Sequence, residues 1–229
     1  MNNIPRLILI ILIVSIFLIF KTSDEVYLNG FSFLILNKFE LGNSIISNIS
    51  FGLFVSCLFY FVTVWIPIQA KRKTLKSNYS FQYFEFKRNM IGHFLNACGS
   101  SYSAELLNTL QDQKIFKEYF KENANESQQR WDLVASNMDA YLLSKIKLEF
   151  DAFKESTSYI LNNVEISNSE AFEFLHRFNK EVVLLQDISP GEYDEIKAFC
   201  RFLWEIFSGW SWVDGYRKED FFKKMINAI

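Results

Sequence analysis

Glu173 and His176 stand three residues apart in "EFLH". With that spacing a helix presents a carboxylate and an imidazole to one metal in each half of a di-iron carboxylate bundle. Such a centre needs a second E-x-x-H and two further glutamates, and the other histidine, His93, follows "MIG" and supplies no second half. His176 therefore reads as a histidine at a surface or core edge. Glu192, Asp194 and Glu195 fall in the first turn of an expected helix, where carboxylates meet the positive end of the helix dipole and need no metal. There is no G-x-x-x-x-G-K-[ST] phosphate loop, no G-x-G-x-x-G, no H-E-x-x-H and no G-x-S-x-G. Cys57, Cys98 and Cys200 are scattered without C-x-x-C or zinc spacing, as buried thiols in a reducing compartment would be. No catalytic residue, metal ligand or cofactor is assigned, and the expectation is a protein that is not an enzyme.

The elements around these residues are unusually apolar. The 229 residues are 50% hydrophobic and include 25 phenylalanines, with a net charge of −2. That balance excludes whole-chain electrostatic attraction to nucleic acid, and no direct nucleic-acid binding is expected. The run "IPRLILIILIVSIFLIF" carries no charge from Leu7 to Phe20, and Ser15 is its one polar residue there. With its flanks it approaches the length that crosses a bilayer. It exits into "FKTSDEV", without the small-residue pattern of a cleavage site, so an uncleaved signal anchor is expected. The second run, Ile45 to Ile68, is 24 residues without a charge. Spans are expected at about 4–20 and 45–68, joined by an outer loop over 21–44. Asn29-Gly30 favours a tight turn within that loop.

Lys71, Arg72, Lys73 and Lys76 follow the second run, whereas the connecting loop is near-neutral. The positive-inside rule then places both termini in the cytoplasm. From Lys71 to Arg88 there are six cations and only Glu85, and from Asn89 onward 15 cations face 22 carboxylates. This membrane-surface collar suits anionic headgroups, although a stop-transfer flank that fixes topology accounts for it equally. Within the second run Ser44, Asn48, Gly52, Ser56 and Tyr60 recur every four residues and form a seam along one slowly drifting helix stripe. Small residues let a second backbone approach in lipid, and the polar ones can bond across the contact. Packing against the first span and self-association carry equal weight, because the first run offers only Ser15 in return. A polar seam shared among copies could also line a narrow wet path.

Residues 71–229 read as a cytosolic α-helical domain, and residues 1–70 as a transmembrane hairpin, giving an all-α fold. "SFQYFEFKRNMIGHFLNACG" ends at Gly99, a plausible residue just past a helix end. Short helices follow in "AELLNTLQ" and "KIFKEYFKE", and one long helix is expected from about Gln128 to Leu161. Trp131, Val134, Met138, Tyr141, Leu142, Lys145, Leu148 and Leu161 would share one face of it. "SNSE" at Ser167 and "SPGE" at Ser189 match capping boxes. The first helix would turn Phe172, Leu175, Phe178 and Val182 inward. The second would open with Pro190 and end near Gly209. "KEDFFKKMINAI" is amphipathic, and "WSWVDGY" places Trp210 and Trp212 at a turn. No alternating strand pattern and no long repeat is visible.

The second span, ending "FYFVTVWIPIQAKRK", resembles that of uncharacterised bacterial two-span membrane proteins, among them effectors that accompany retron and abortive-infection systems of phage defence. The resemblance covers about residues 45–80 and is architectural elsewhere. It implies a multi-pass protein of the bacterial inner membrane, held silent by a cytosolic regulatory protein or a ribonucleoprotein, which damages or permeabilises the membrane when triggered. It carries over no catalytic residue. Its expected partners are the lipid bilayer and further copies of itself. The alternatives are a membrane-anchored scaffold that recruits a cytosolic partner through its helical domain and, third, a membrane-tethered enzyme with an unrecognised site.

Overall fold

A computed structural model describes residues 3–23, 39, 41–99, 101–211 and 215–229, with side chains from Arg6 onward. The expected Asn29-Gly30 turn and Trp212 lie outside the described residues. Among the described residues the fold is all-α apart from one two-stranded ladder, and the chain divides into two compact parts, Met1–Lys73 and Thr74–Ile229.

In the first part, α1 (Asn3–Thr22) packs on α2 (Asn43–Tyr60). On α1 the more buried side chains are Ile8, Ile11, Leu12, Ser15, Leu18, Ile19 and Thr22, in steps of three and four. On α2 they are Asn43, Ile46, Ser47, Ser50, Phe54 and Cys57. These two stripes form the contact between the helices. Asn43 pins the start of α2, its Nδ2 donating to Phe39 O at 2.7 Å and its Oδ1 accepting from Phe39 N at 3.2 Å.

After Tyr60 the helix widens into a π-turn, Phe61–Trp65, and continues as α3 (Ile66–Ala97). Pro67 explains the widening. A proline ring collides with the carbonyl four residues back, here Thr63 O, and cannot donate to it. Ile66 N instead reaches Phe61 O, five residues back, and this opens the turn just ahead of the proline. The helix Asn43–Ala97, 55 residues, is long and apolar enough over part of its length to cross a membrane. α1, of 20 residues, is similarly apolar.

In the second part α3 is the spine. Tyr79, Tyr83, Phe86, Met90, Ile91, Phe94 and Leu95 are buried along it. Around it α4 (Ala104–Thr109), α5 (Gln113–Lys121), α6 (Arg130–Ser136), α7 (Ala140–Asn163), α8 (Ser169–Leu185), α9 (Tyr193–Ser208) and α10 (Phe221–Ala228) build one shared core. The abundant phenylalanines fill this core. Phe94 meets Phe116, Phe120, Trp131 and Phe207 edge-on with centroids 5.1–6.2 Å apart, and Phe86 stacks on Phe153 at 4.9 Å. Such pairs add about 0.5–1.5 kcal/mol each beyond area burial.

Helix boundaries depart from expectation in three places. The long helix over 128–161 is two, α6 and α7, broken at Asn137–Asp139. Asp139 interrupts it because its carboxylate accepts from Leu142 N at 2.7 Å and so caps a new start. Helical phase restarts there, and Tyr141 and Leu148, expected on the buried face, are exposed, while Leu142, Leu143 and Ile146 are buried. α8 is capped by Asn168, which accepts from Ala171 N at 2.9 Å, rather than by Ser167. Ala171 therefore takes the inward place, and Phe172 is exposed where Leu175, Phe178 and Val182 are buried. α9 begins at Tyr193, not Pro190, although Glu195 Oε2 reaches back to accept from Ser189 N at 3.1 Å.

Two glycine ends match expectation. Gly99 follows α3 with φ +67°. Gly209 caps α9 with φ +69°, a conformation that favours glycine, and a Cβ there would have to push aside the Gln113 amide, whose Oε1 would lie 2.6 Å away. Beyond it, β1 (Trp210–Ser211) pairs antiparallel with β2 (Gly215–Tyr216), a ladder too short for any alternation to announce it.

Candidate functional site

Glu173 and His176 lie on the exposed side of α8, where the His176 ring packs against Phe172 with centroids 4.5 Å apart. His93 is on α3, its Nε2 3.8 Å from Glu149 Oε1 on α7. The imidazole holds the Glu149 carboxyl below its ordinary value, against the opposing effect of burial, and the Asn89 amide, donating at 3.1 Å, adds to the lowering. The two histidines thus serve separate local contacts. Among the described residues no three His, Cys, Asp or Glu side chains are placed to hold a metal ion.

The densest polar cluster was not anticipated. The Lys87 ammonium lies 3.0 Å from Asp220 Oδ2 and donates to Gln111 O at 2.7 Å, with only 5% of its side chain exposed. The Tyr83 hydroxyl donates to both Asp220 oxygens at 2.9 Å. Asp220 also caps α10, accepting from Lys223 N at 3.1 Å. One carboxylate therefore serves a cation, a phenol and a helix start. Burial first, and then the Asp220 charge, push the Tyr83 phenol well above its ordinary value, so it donates a hydrogen bond and does not release its proton. The sequence held a signal for this. Lys87 continues the buried phase of Tyr79, Tyr83 and Phe86, yet it counted only as one of the basic residues near the second span.

The seam residues are elsewhere. Ser44, Asn48, Gly52 and Ser56 are exposed on α2, away from the face that α1 covers, and among the described residues nothing outside its own helix turn stands within 4 Å of where a Gly52 Cβ would lie. Ser56 donates to Gly52 O at 2.8 Å, which ties its hydroxyl back to its own helix. Tyr60 is half-buried, its ring 5.9 Å from that of Phe61 at the start of the π-turn. Ser50, outside the stripe, is buried on the side that α1 covers, and its hydroxyl has no partner among the described residues.

No family model, curated protein or solved structure matches the chain.

Within the basic collar, Lys71 and Lys73 are exposed and Arg72 is half-buried. Lys76 has a second use, because its ammonium donates to Asn227 O near the end of α10, where a cation also complements the helix dipole. An open cleft of about 500 Å³ lies between α3 and α7, lined by Asn78, Tyr79, Glu155, Ser158, Tyr159 and Asn162.

Proposed function

We propose that the chain is an effector of the bacterial inner membrane, multi-pass with both termini cytoplasmic, which self-associates through α2 and permeabilises the bilayer when partners that hold it silent let go. The observation that carries this reading is the outward position of Ser44, Asn48, Gly52 and Ser56 on an apolar helix whose other face already holds α1. In lipid, small residues allow close backbone approach, and an amide such as Asn48 gains by finding a partner. A second copy supplies the same stripe in return, whereas α1 does not reach it. The phage-defence setting rests on the resemblance of residues 45–80 to two-span effectors, which carries over no catalytic residue.

The test is uptake of a membrane-impermeant dye by a bacterial host after induction, with crosslinking to count copies. The natural chain should admit dye and crosslink, and Gly52→Leu or Ser56→Leu should insert but do neither. Equal dye entry with the leucine variants, or none with the natural chain in the presence of its trigger, removes the reading and leaves a membrane-anchored scaffold.

A further inference from the structure

α10 is fastened at both ends to a single helix. Asp220, its cap, is held by Tyr83 and Lys87 of α3, and the Asn227 carbonyl near its other end is held by Lys76 of α3. Lys76 to Tyr83 and Asp220 to Asn227 are each seven residues, about 10.5 Å along a helix axis, so the two ties match in spacing. Between them Phe222 packs on Tyr83, Phe153, Phe174 and Phe178, with centroids 4.7–5.6 Å apart. α10 joins the same buried core through Phe222 and Ile226, but among the described residues the rings about Phe94, namely Phe116, Phe120, Trp131 and Phe207, make no ring contact with it.

We infer that α10 is a releasable strap on α3 whose docking restrains the membrane activity proposed above, an inference that rests on that reading. Eight residues do not hold a helix in isolation, so release means local unfolding of this segment while the core centred on Phe94 stays packed. The fastening suits a switch. A buried ion pair adds little net stability while intact, because desolvation offsets attraction, but losing one partner strands the other charge. A modest event at Asp220 or Lys87 is thereby converted into full release. The pivot is the exposed pair Lys218 and Glu219, between β2 and the cap Asp220. Release uncovers Tyr83, Phe174 and Phe178 and frees the stretch of α3 from Lys76 to Lys87, which is continuous in sequence with the apolar helix.

Hydrogen exchange on the full chain in phospholipid vesicles tests the strap, and dye uptake tests the restraint. Amides of 221–228 should exchange together, at least tenfold faster than those of α7, and Asp220→Asn should speed the α10 group a further tenfold or more with α7 unchanged. Asp220→Asn should also raise dye entry several-fold over the natural chain. The pair Lys87→Met with Asp220→Asn, which leaves no stranded charge, should restore slower α10 exchange and lower dye entry. If α10 and α7 exchange as one unit, or Asp220→Asn speeds both alike, the strap is wrong and the effector reading is untouched. If α10 opens separately and the natural chain admits dye but Asp220→Asn admits no more, the restraint is wrong. If α10 opens separately and neither chain admits dye even with the trigger present, the effector reading fails, and the restraint with it.

Discussion

The Tyr79 hydroxyl lies 2.8 Å from the Thr157 hydroxyl, a buried bond that joins α3 to α7 across 78 residues of sequence. Thr157 passes its own proton to Phe153 O at 2.9 Å, so Tyr79 is the donor in the pair. Burial raises the Tyr79 phenol far above its ordinary value, and Tyr83 is raised likewise. A group whose folded pKa is raised contributes stability that is whole below its unfolded value, near 10, and lost as pH climbs toward the folded value. Denaturant unfolding of the full chain should therefore show stability falling above about pH 10. Tyr79→Phe should flatten part of that fall, while costing about 0.5–1.5 kcal/mol at neutral pH. An unchanged alkaline slope in Tyr79→Phe would contradict the assignment.

Phe178 reaches Phe150, Phe153 and Phe222 and is 5% exposed. Phe178→Ala should cost about 3–5 kcal/mol, whereas Phe172→Ala, six residues earlier on the exposed side, should cost less than about 0.5 kcal/mol. Thermal unfolding of the two variants side by side decides whether the inward face of α8 is assigned correctly.

That contrast shows what the sequence could tell. The helices, the ends at Gly99 and Gly209, and the inward set Leu175, Phe178 and Val182 were legible because turn chemistry and a three-to-four period are local properties. Phe172 was misplaced because the cap is Asn168 and not Ser167. Two adjacent residues with similar capping power leave the choice to tertiary packing, which put the small Ala171 inward. The same ambiguity hid Asp139, an ordinary exposed acid in the sequence that turns out to split one helix into two. Lys87 with Asp220 was out of reach for another reason. Local pattern cannot show which carboxylate, 133 residues away, will meet a lysine on a buried phase.

Ser50 and Gly52 are two residues apart and face different surroundings. Ser50→Leu should force α1 away from α2, lowering exchange protection in both helices, because the new side chain enters a contact where the serine is 1% exposed. Gly52→Leu should leave that protection unchanged, since among the described residues nothing outside its own helix turn stands within 4 Å of its new Cβ. Equal effects from the two substitutions would mean the faces of α2 are assigned wrongly.

Pro67→Ala should remove the cause of the wide turn over Phe61–Trp65. Ile66 N can then return to Val62 O, and residue 67 gains a donor for Thr63 O. In micelles, the amide of residue 67 should become protected and the carbonyl shifts of Phe61 and Thr63 should move. A turn that stays wide in Pro67→Ala would have to owe its shape to Phe61 and Trp65, whose rings are 5.9 Å apart.

The two faces of α2 have a consequence for how copies could meet. α1 occupies the side bearing Ser50, Phe54 and Cys57, and the side bearing Asn48, Gly52 and Ser56 is left over. Under the proposed self-association, a neighbour arriving at the second side would displace nothing from the first, so α1–α2 pairs would join by simple addition and no chain would lend α1 to another. Once the proposed restraint is lifted, the local concentration of chains would set assembly by mass action, with no step in which α1 must first leave α2.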